Sequence, residues 1–211
     1  WTKRNNDGQK YIKSAEPIKI NYFFGQNLIK AKKSLGQNFL NDRNVLEQIT
    51  NVTVIKDRTI LEIGPGTGNL TSFILKNNPK KVIVIEKDNN LAENLNNNFK
   101  NKLTIVFGNL PYNISTEILC KWIINLKDNF WFDHLVLMFQ KEVADRIISK
   151  HNTSTYGRLS ILSNWKLDVK KICDIKPESF YPKPKIDSSL LFFTPKKKFF
   201  KIKNPKNLEK V

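Results

Sequence analysis

The chain has 211 residues and a mass of 24.6 kDa, and 40% of it is apolar with 14 Phe, 5 Tyr and 4 Trp, which supports one substantial core and excludes wholesale disorder. Two cysteines, Cys120 and Cys173, and two histidines, His134 and His151, are too few for a disulfide framework or a four-ligand zinc site. The formal charge of +17 is concentrated at the ends, with a net of +6 on residues 1–40, +7 on residues 183–211 and +4 on everything between, the pattern of a polyanion-binding surface or, equally on charge alone, of a basic coat kept for solubility.

Residues 1–31 read as a basic arm. The chain opens at Trp1 and Met138 is its one methionine, so a piece of a longer product is expected. No apolar region follows the first charges and the arm is Lys-rich, so it makes a poor signal peptide and a poor mitochondrial presequence. No run approaches the roughly 18 apolar residues of a membrane helix. Asn41-Asp42 supplies N-cap chemistry for a helix carrying Val45, Leu46 and Ile49. Thr59 to Ile63 is a β-branched run that stops at Gly64-Pro65-Gly66-Thr67-Gly68. Leu70, Phe73, Ile74 and Leu75 then form a helical face, and Lys81 to Ile85 is a second buried strand closed by Glu86. Strand, glycine turn, helix and strand make a right-handed βαβ unit and predict a parallel sheet.

A helix is predicted over 89–99, with others near 116–126 and 141–149. Further strands are predicted at Val106-Phe107, His134 to Phe139, Leu159 to Leu162, Val169 to Ile175 and Leu190 to Phe193. The last two, joined through a loop at Phe180 to Pro184, read as an antiparallel edge hairpin. The fold class is therefore α/β: a Rossmann-like, doubly wound and mostly parallel sheet over residues 32–195. One place departs from this scheme. Leu103-Thr104-Ile105 runs straight into Val106-Phe107-Gly108-Asn109, two half-strands with no connection, so a crossover of about a dozen residues or more is expected to be absent at 105–106.

The glycines at 64, 66 and 68 follow neither the dinucleotide fingerprint nor the phosphate loop of nucleotide hydrolases, which disfavours NAD and ATP. A nucleoside without pyrophosphate fits. Glu86, at the tip of the second strand, is placed to accept from ribose hydroxyls, and Glu62, before the loop, to face a cationic amino group. Ribose, a positive centre and no phosphate point to S-adenosylmethionine. Asn109-Leu110-Pro111-Tyr112 stands at the end of a buried strand, where open α/β sheets place chemistry. Methylating an exocyclic adenine amine requires acceptors for its two N–H bonds; the Asn109 side chain and the Leu110–Pro111 main chain supply them, and Pro111 stiffens the turn. Tyr112 offers a face for the base, and Phe180, in a loop held by two prolines, a second; base stacking on an aromatic is worth roughly 1–3 kcal/mol. The alternative for these residues is structural: a strand-end turn, with Phe180 a core aromatic. No proton relay is demanded, since transfer from a sulfonium rests on proximity and alignment. Cys120 and Cys173 read as core thiols of a reducing compartment and His151 as a surface residue.

Together, Gly36-Gln37-Asn38-Phe39-Leu40, Leu61 to Gly68, Ile85-Glu86-Lys87-Asp88, Gly108 to Ser115, Gln140 to Ala144, Tyr156 to Ser160 and Phe180-x-Pro-x-Pro-Lys185-x-Asp187-Ser188 resemble the small-subunit ribosomal RNA adenine dimethyltransferases of the KsgA type, from about residue 32 to about 195. The resemblance implies a class I methyltransferase fold and dimethylation of N6 on two adjacent adenines in the 3′-terminal hairpin loop of small-subunit rRNA during ribosome assembly. By motif, Gln37, Asn38, Leu40, Glu62, Gly64, Gly66, Glu86 and Asn109 belong to the S-adenosylmethionine site, and Asn109, Leu110, Pro111, Tyr112 and Phe180 to the target base. The implied partners are small-subunit rRNA and the immature small subunit, with no membrane and no metal, for a monomer in the cytoplasm or an organellar matrix. Two departures stand out. The family's third-strand acid has no counterpart here, as a gap after Ile105 would produce, and residues 196–211 are only the start of its small helical RNA-binding domain. The rivals are the erythromycin-resistance dimethyltransferases of large-subunit rRNA, a non-catalytic assembly-factor or organellar transcription-factor-like relative, and, weakest, a DNA adenine methyltransferase.

Overall fold

The computed structural model describes residues 2–4, 10–12, 38–85, 104–126 and 130–203; Gln37, Glu86 and the helix predicted over 89–99 lie outside them. In chain order, β1 (Thr2–Arg4) and β2 (Lys10–Ile12) form an antiparallel pair, followed by β3 (Phe39–Leu40) and α1 (Arg43–Thr50). Then come β4 (Thr59–Ile63), α2 (Asn69–Lys76), β5 (Lys81–Ile85), β6 (Thr104–Gly108), α3 (Tyr112–Asn125) and β7 (His134–Gln140). The remainder is α4 (Lys141–Ile148), α5 (Arg158–Lys166), β8 (Leu167–Ile175), a short 3₁₀ turn at Pro177–Ser179, β9 (Phe180–Tyr181) and β10 (Ser188–Pro195).

Six strands make one sheet in the order β5-β4-β6-β7-β10-β8. The first four are parallel, while β10 runs antiparallel between β7 and β8. The antiparallel pair at one edge is thus present, with β8 outermost. Ile60, Leu61, Ile105, Val106 and Phe107 are all fully buried because helices cover both faces, which is why these strands read as continuous apolar runs. Strand pleating still divides them: Leu61, Val106, Leu135 and Leu137 share one core with Trp122 and Leu162, and Ile60, Ile105, Phe107 and Val136 share the other with Leu46 and Ile74. The predicted α1 cap is present, with Asp42 Oδ1 accepting from the N–H groups of Asn44 (3.0 Å) and Val45 (3.3 Å).

Three expectations change. Leu159 to Leu162 is not a strand but part of α5. Four apolar-rich residues fit either period, and the helix wins by burying Leu162 and Trp165 on one face. Its start is fixed by Ser160, whose Oγ accepts from Gly157 N–H and donates to Arg146 O at 2.7 Å. The helix expected from 116 starts at Tyr112, because the Pro111 carbonyl accepts from the N–H groups of both Ile114 and Ser115, each at 3.0 Å. The two half-strands around Ile105 are one strand here, Thr104 and Ile105 continuing the register of Val106 to Gly108 beside β4.

An ion cluster ties α4 to the antiparallel edge: Lys141 and Lys171 both reach the Asp174 carboxylate, and Ser189 Oγ donates to it at 2.6 Å. Burial pushes the Asp174 carboxyl up, but these hydrogen bonds outweigh it and hold the group well below the usual carboxylate range.

Candidate active site

The parallel strands end level with one another: Ile63 pairs with Ile85 on one side and Gly108 on the other. Just beyond that line the chain turns twice, through Gly64 to Gly68 and through Asn109. Gly64, Gly66 and Gly68 have φ of 70°, 53° and 81°. Gly64 N–H donates to Ile85 O (2.9 Å) and Gly68 N–H to Pro65 O (2.8 Å). At Gly66 the demand is double. Its φ is left-handed, and a Cβ there would stand 2.7 Å from Cδ1 of the Phe39 ring. At Gly64 a Cβ would come within 3.3 Å of the Asn109 carbonyl oxygen. The glycine turn is therefore enclosed by Phe39 on one side and the Asn109 turn on the other.

Asn109 Nδ2 donates to the main-chain oxygen of Asn38 at 3.0 Å. A primary amide has a donor end and an acceptor end, so this bond fixes which way Oδ1 faces. Leu110 is buried behind the turn. Tyr112, the first residue of α3, has its hydroxyl paired with Ser188 Oγ. Burial pushes the Tyr112 phenol up and the Ser188 hydrogen bond only partly offsets this, so it stays protonated at neutral pH and is no base.

β3 pairs antiparallel with β9, placing Phe39 opposite Tyr181 and Leu40 opposite Phe180. Asn69, at the start of α2, donates to Leu40 O (2.8 Å) and Asn41 Oδ1 (2.7 Å). Ser179 Oγ donates to Asp42 Oδ2 (3.0 Å), and Ser179 O accepts from Asn41 N–H (2.9 Å). The segment 38–42 is thereby fastened to both the glycine turn and the Phe180 loop.

Asn38, Leu40, Gly64, Gly66, Asn109, Leu110, Pro111, Tyr112 and Phe180 all come to this one end of the sheet. Glu62 is buried on β4 in register with Val84 and Phe107, two residues before the first glycine of the turn. Phe180 is only 4% exposed and belongs to the apolar cluster of Leu40, Leu46 and Ile175, whereas its neighbour Tyr181 is 64% exposed. Phe39, Asn69, Tyr181 and Ser188 join the site here, beyond the residues the sequence points to. Only Phe39 and Ser188 carried a signal, as members of longer motifs. Among the described residues no group of three or more His, Cys, Asp or Glu could hold a metal, and no helix is long and apolar enough to cross a membrane. Cys120 and Cys173 are unbridged and partly buried.

The ribosomal RNA adenine dimethylase family matches residues 28–107 and 99–211. A ribosomal RNA small subunit methyltransferase A of Pelagibacter ubique (strain HTCC1062) is 63% identical over 202 residues, covering 87% of this chain and 77% of that protein. The Wolbachia pipientis subsp. Culex pipiens (strain wPip) protein of the same name is 42% identical, covering 80% and 71%. Among solved structures, a dimethyladenosine transferase from Plasmodium falciparum aligns with a TM-score of 0.61 at 32% identity, over 75% of this chain and 63% of that one. The 23S rRNA methyltransferase ErmE aligns with a TM-score of 0.62 at 21% identity, over 82% and 75%, a likeness of fold.

Proposed function

The chain belongs to the ribosomal RNA adenine dimethylase family, and from that premise we propose that it dimethylates N6 of two adjacent adenines in the 3′-terminal hairpin loop of small-subunit rRNA, with S-adenosylmethionine as donor. The observation that carries the reading is the Asn109 amide, held by Asn38 O beside the glycine turn.

The turn suits the donor: left-handed Gly64 and Gly66 bring the main chain round tightly at the strand ends, and the missing Cβ at 66 lets the Phe39 ring pack against it. Asn38, Leu40, Gly64, Gly66 and Asn109 would hold the donor, with Gln37, Glu62 and Glu86 assigned by motif. When bound, the donor supplies an electrophilic methyl group on a sulfonium. The rest is done by the chain. Asn109 Oδ1 accepts one N–H of the adenine amine, which draws the nitrogen lone pair out of the ring and toward tetrahedral geometry. The Pro111 carbonyl is engaged by Ile114 and Ser115, which points to the Leu110 carbonyl as the second acceptor. Tyr112 provides the stacking face, and Phe180, packed with Leu40, the wall that aligns the pocket with the donor. With Tyr112 held neutral, the amine's surplus proton leaves to water.

In this reading the active unit is a monomer, working in the cytoplasm where small subunits assemble. Residues 32–195 would be the methyltransferase domain. The family match divides at 99–107, the stretch where the crossover is expected to be absent. Residues 196–203 start an RNA-binding segment: Phe199 is wedged between Phe130 and Trp165, while Lys197, Lys198, Lys201 and Lys203 are exposed.

The deciding experiment supplies labelled S-adenosylmethionine with immature small subunits and, separately, with large-subunit RNA, then maps reverse-transcription stops. Label on two adjacent small-subunit adenines is expected; label on large-subunit RNA alone would favour the erythromycin-resistance reading, and no label with RNA bound a non-catalytic relative. If the terminal lysines contact phosphates, RNA affinity falls more than about tenfold between 50 and 200 mM salt. A flat response in a filter-binding titration would reject that role.

A further inference from the structure

We propose that Ser188 is a positioning residue for the target base, acting by holding the Tyr112 ring at the angle its stacking role requires. This rests on the assignment of Tyr112 as the stacking face.

Tyr112 is the first residue of α3, so its backbone is set by the Pro111 turn, while its ring still has two torsions to choose. A stacking face is useful only if its plane is fixed before the base arrives, since ordering a free side chain on binding costs conformational entropy. The phenol oxygen supplies the second fixed point by pairing with Ser188 Oγ. Ser188 itself has little freedom. It is fully buried, and as the first residue of β10 it pairs with Gln140 of β7 on one side and Ile175 of β8 on the other. The residue before it is pinned as well: the Asp187 carbonyl accepts from Lys141 N–H at 2.9 Å and its carboxylate from Lys176 Nζ at 2.8 Å. The next residue, Ser189, bonds to Asp174. A strand clamped on both sides thus presents one hydroxyl to the far end of the aromatic ring. The same stretch that carries Phe180 and Tyr181 at one end carries the Tyr112 anchor at the other, so both aromatics of the base pocket are set by one segment, 180–188.

The test compares Ser188→Ala, Tyr112→Phe and the double variant, each of which removes the hydroxyl pair while leaving the ring in place. Three quantities are read: kcat for methyl transfer to small subunits, the S-adenosylmethionine dissociation constant by calorimetry, and quenching of a 2-aminopurine placed at the target adenine of an RNA hairpin. Each single variant is expected to lose about tenfold in kcat and much of the quench, with donor affinity within twofold. The double variant should be no worse than either single. Tyr112→Phe, which only exchanges a hydroxyl for hydrogen, carries the test if Ser188→Ala fails to fold. Normal kcat and quench in the single variants, or losses that add in the double, would overturn the proposal. Tyr112→Ala separates the premise: if it keeps full quench and activity the stacking assignment fails, whereas if it is inactive while Ser188→Ala is normal only the positioning role fails.

Discussion

Asn109→Ala is expected to abolish methyl transfer, with kcat falling by at least about 100-fold, the scale seen when one aligned hydrogen-bonding group is taken from a reacting centre. The donor's dissociation constant should change by about fivefold at most, since a single net hydrogen bond is worth only about 0.5–1.5 kcal/mol. The asymmetry follows from what the side chain does. Its donor end is on Asn38 O at 3.0 Å and helps hold segment 38–40 against the glycine turn, a contact that water replaces in the alanine variant. Its acceptor end has no substitute, because the amine must be met by an oxygen at one place. Asn109→Asp sharpens the point: it keeps an acceptor but sets a carboxylate oxygen against the Asn38 carbonyl, two acceptors facing each other. It too should be inactive, and it should weaken donor binding more than alanine does. Radiolabel transfer and calorimetry check both variants, and turnover within tenfold of the parent in Asn109→Ala would end the assignment.

Gly66→Ala should weaken S-adenosylmethionine binding by about 30-fold or more, the equivalent of about 2 kcal/mol. The left-handed φ of 53° alone costs an alanine about 1–2 kcal/mol. Its Cβ would also sit 2.7 Å from the Phe39 ring, closer than packed atoms come, so either the turn or the ring must move. The turn is the surface assigned to the donor, and the Phe39 ring packs against it. Adding Phe39→Ala removes the collision and leaves the φ strain, so the double variant should recover part of the loss, with circular dichroism confirming that both proteins are folded. Unchanged calorimetric affinity in Gly66→Ala would show that the donor does not lie against this turn.

What was legible in the chain is local. Ile60, Leu61, Ile63 and Val82 to Ile85 are apolar because parallel strands are covered on both faces, and the glycines between them are needed by a turn that makes left-handed angles. Asp42 caps a helix through its own next turn. Such features depend on neighbours within a few residues, and side-chain chemistry alone carries them. Leu159 to Leu162 misled because a four-residue run has no period of its own, and the choice was made by Arg146 O and the core that receives Leu162 and Trp165.

The sequence by itself determined the chemistry on offer: a phosphate-free nucleoside loop, an Asn-Leu-Pro-Tyr turn at a strand end, and basic flanks. Tertiary structure alone decided how that chemistry is aimed. Asn38 lies 71 residues from the Asn109 amide it orients, and Ser188 lies 76 residues from the Tyr112 hydroxyl it holds. Hydrogen-bond partners so far apart leave no pattern along the chain, because they meet only when strand register brings the ends of β4, β6 and β10 to one edge of the sheet.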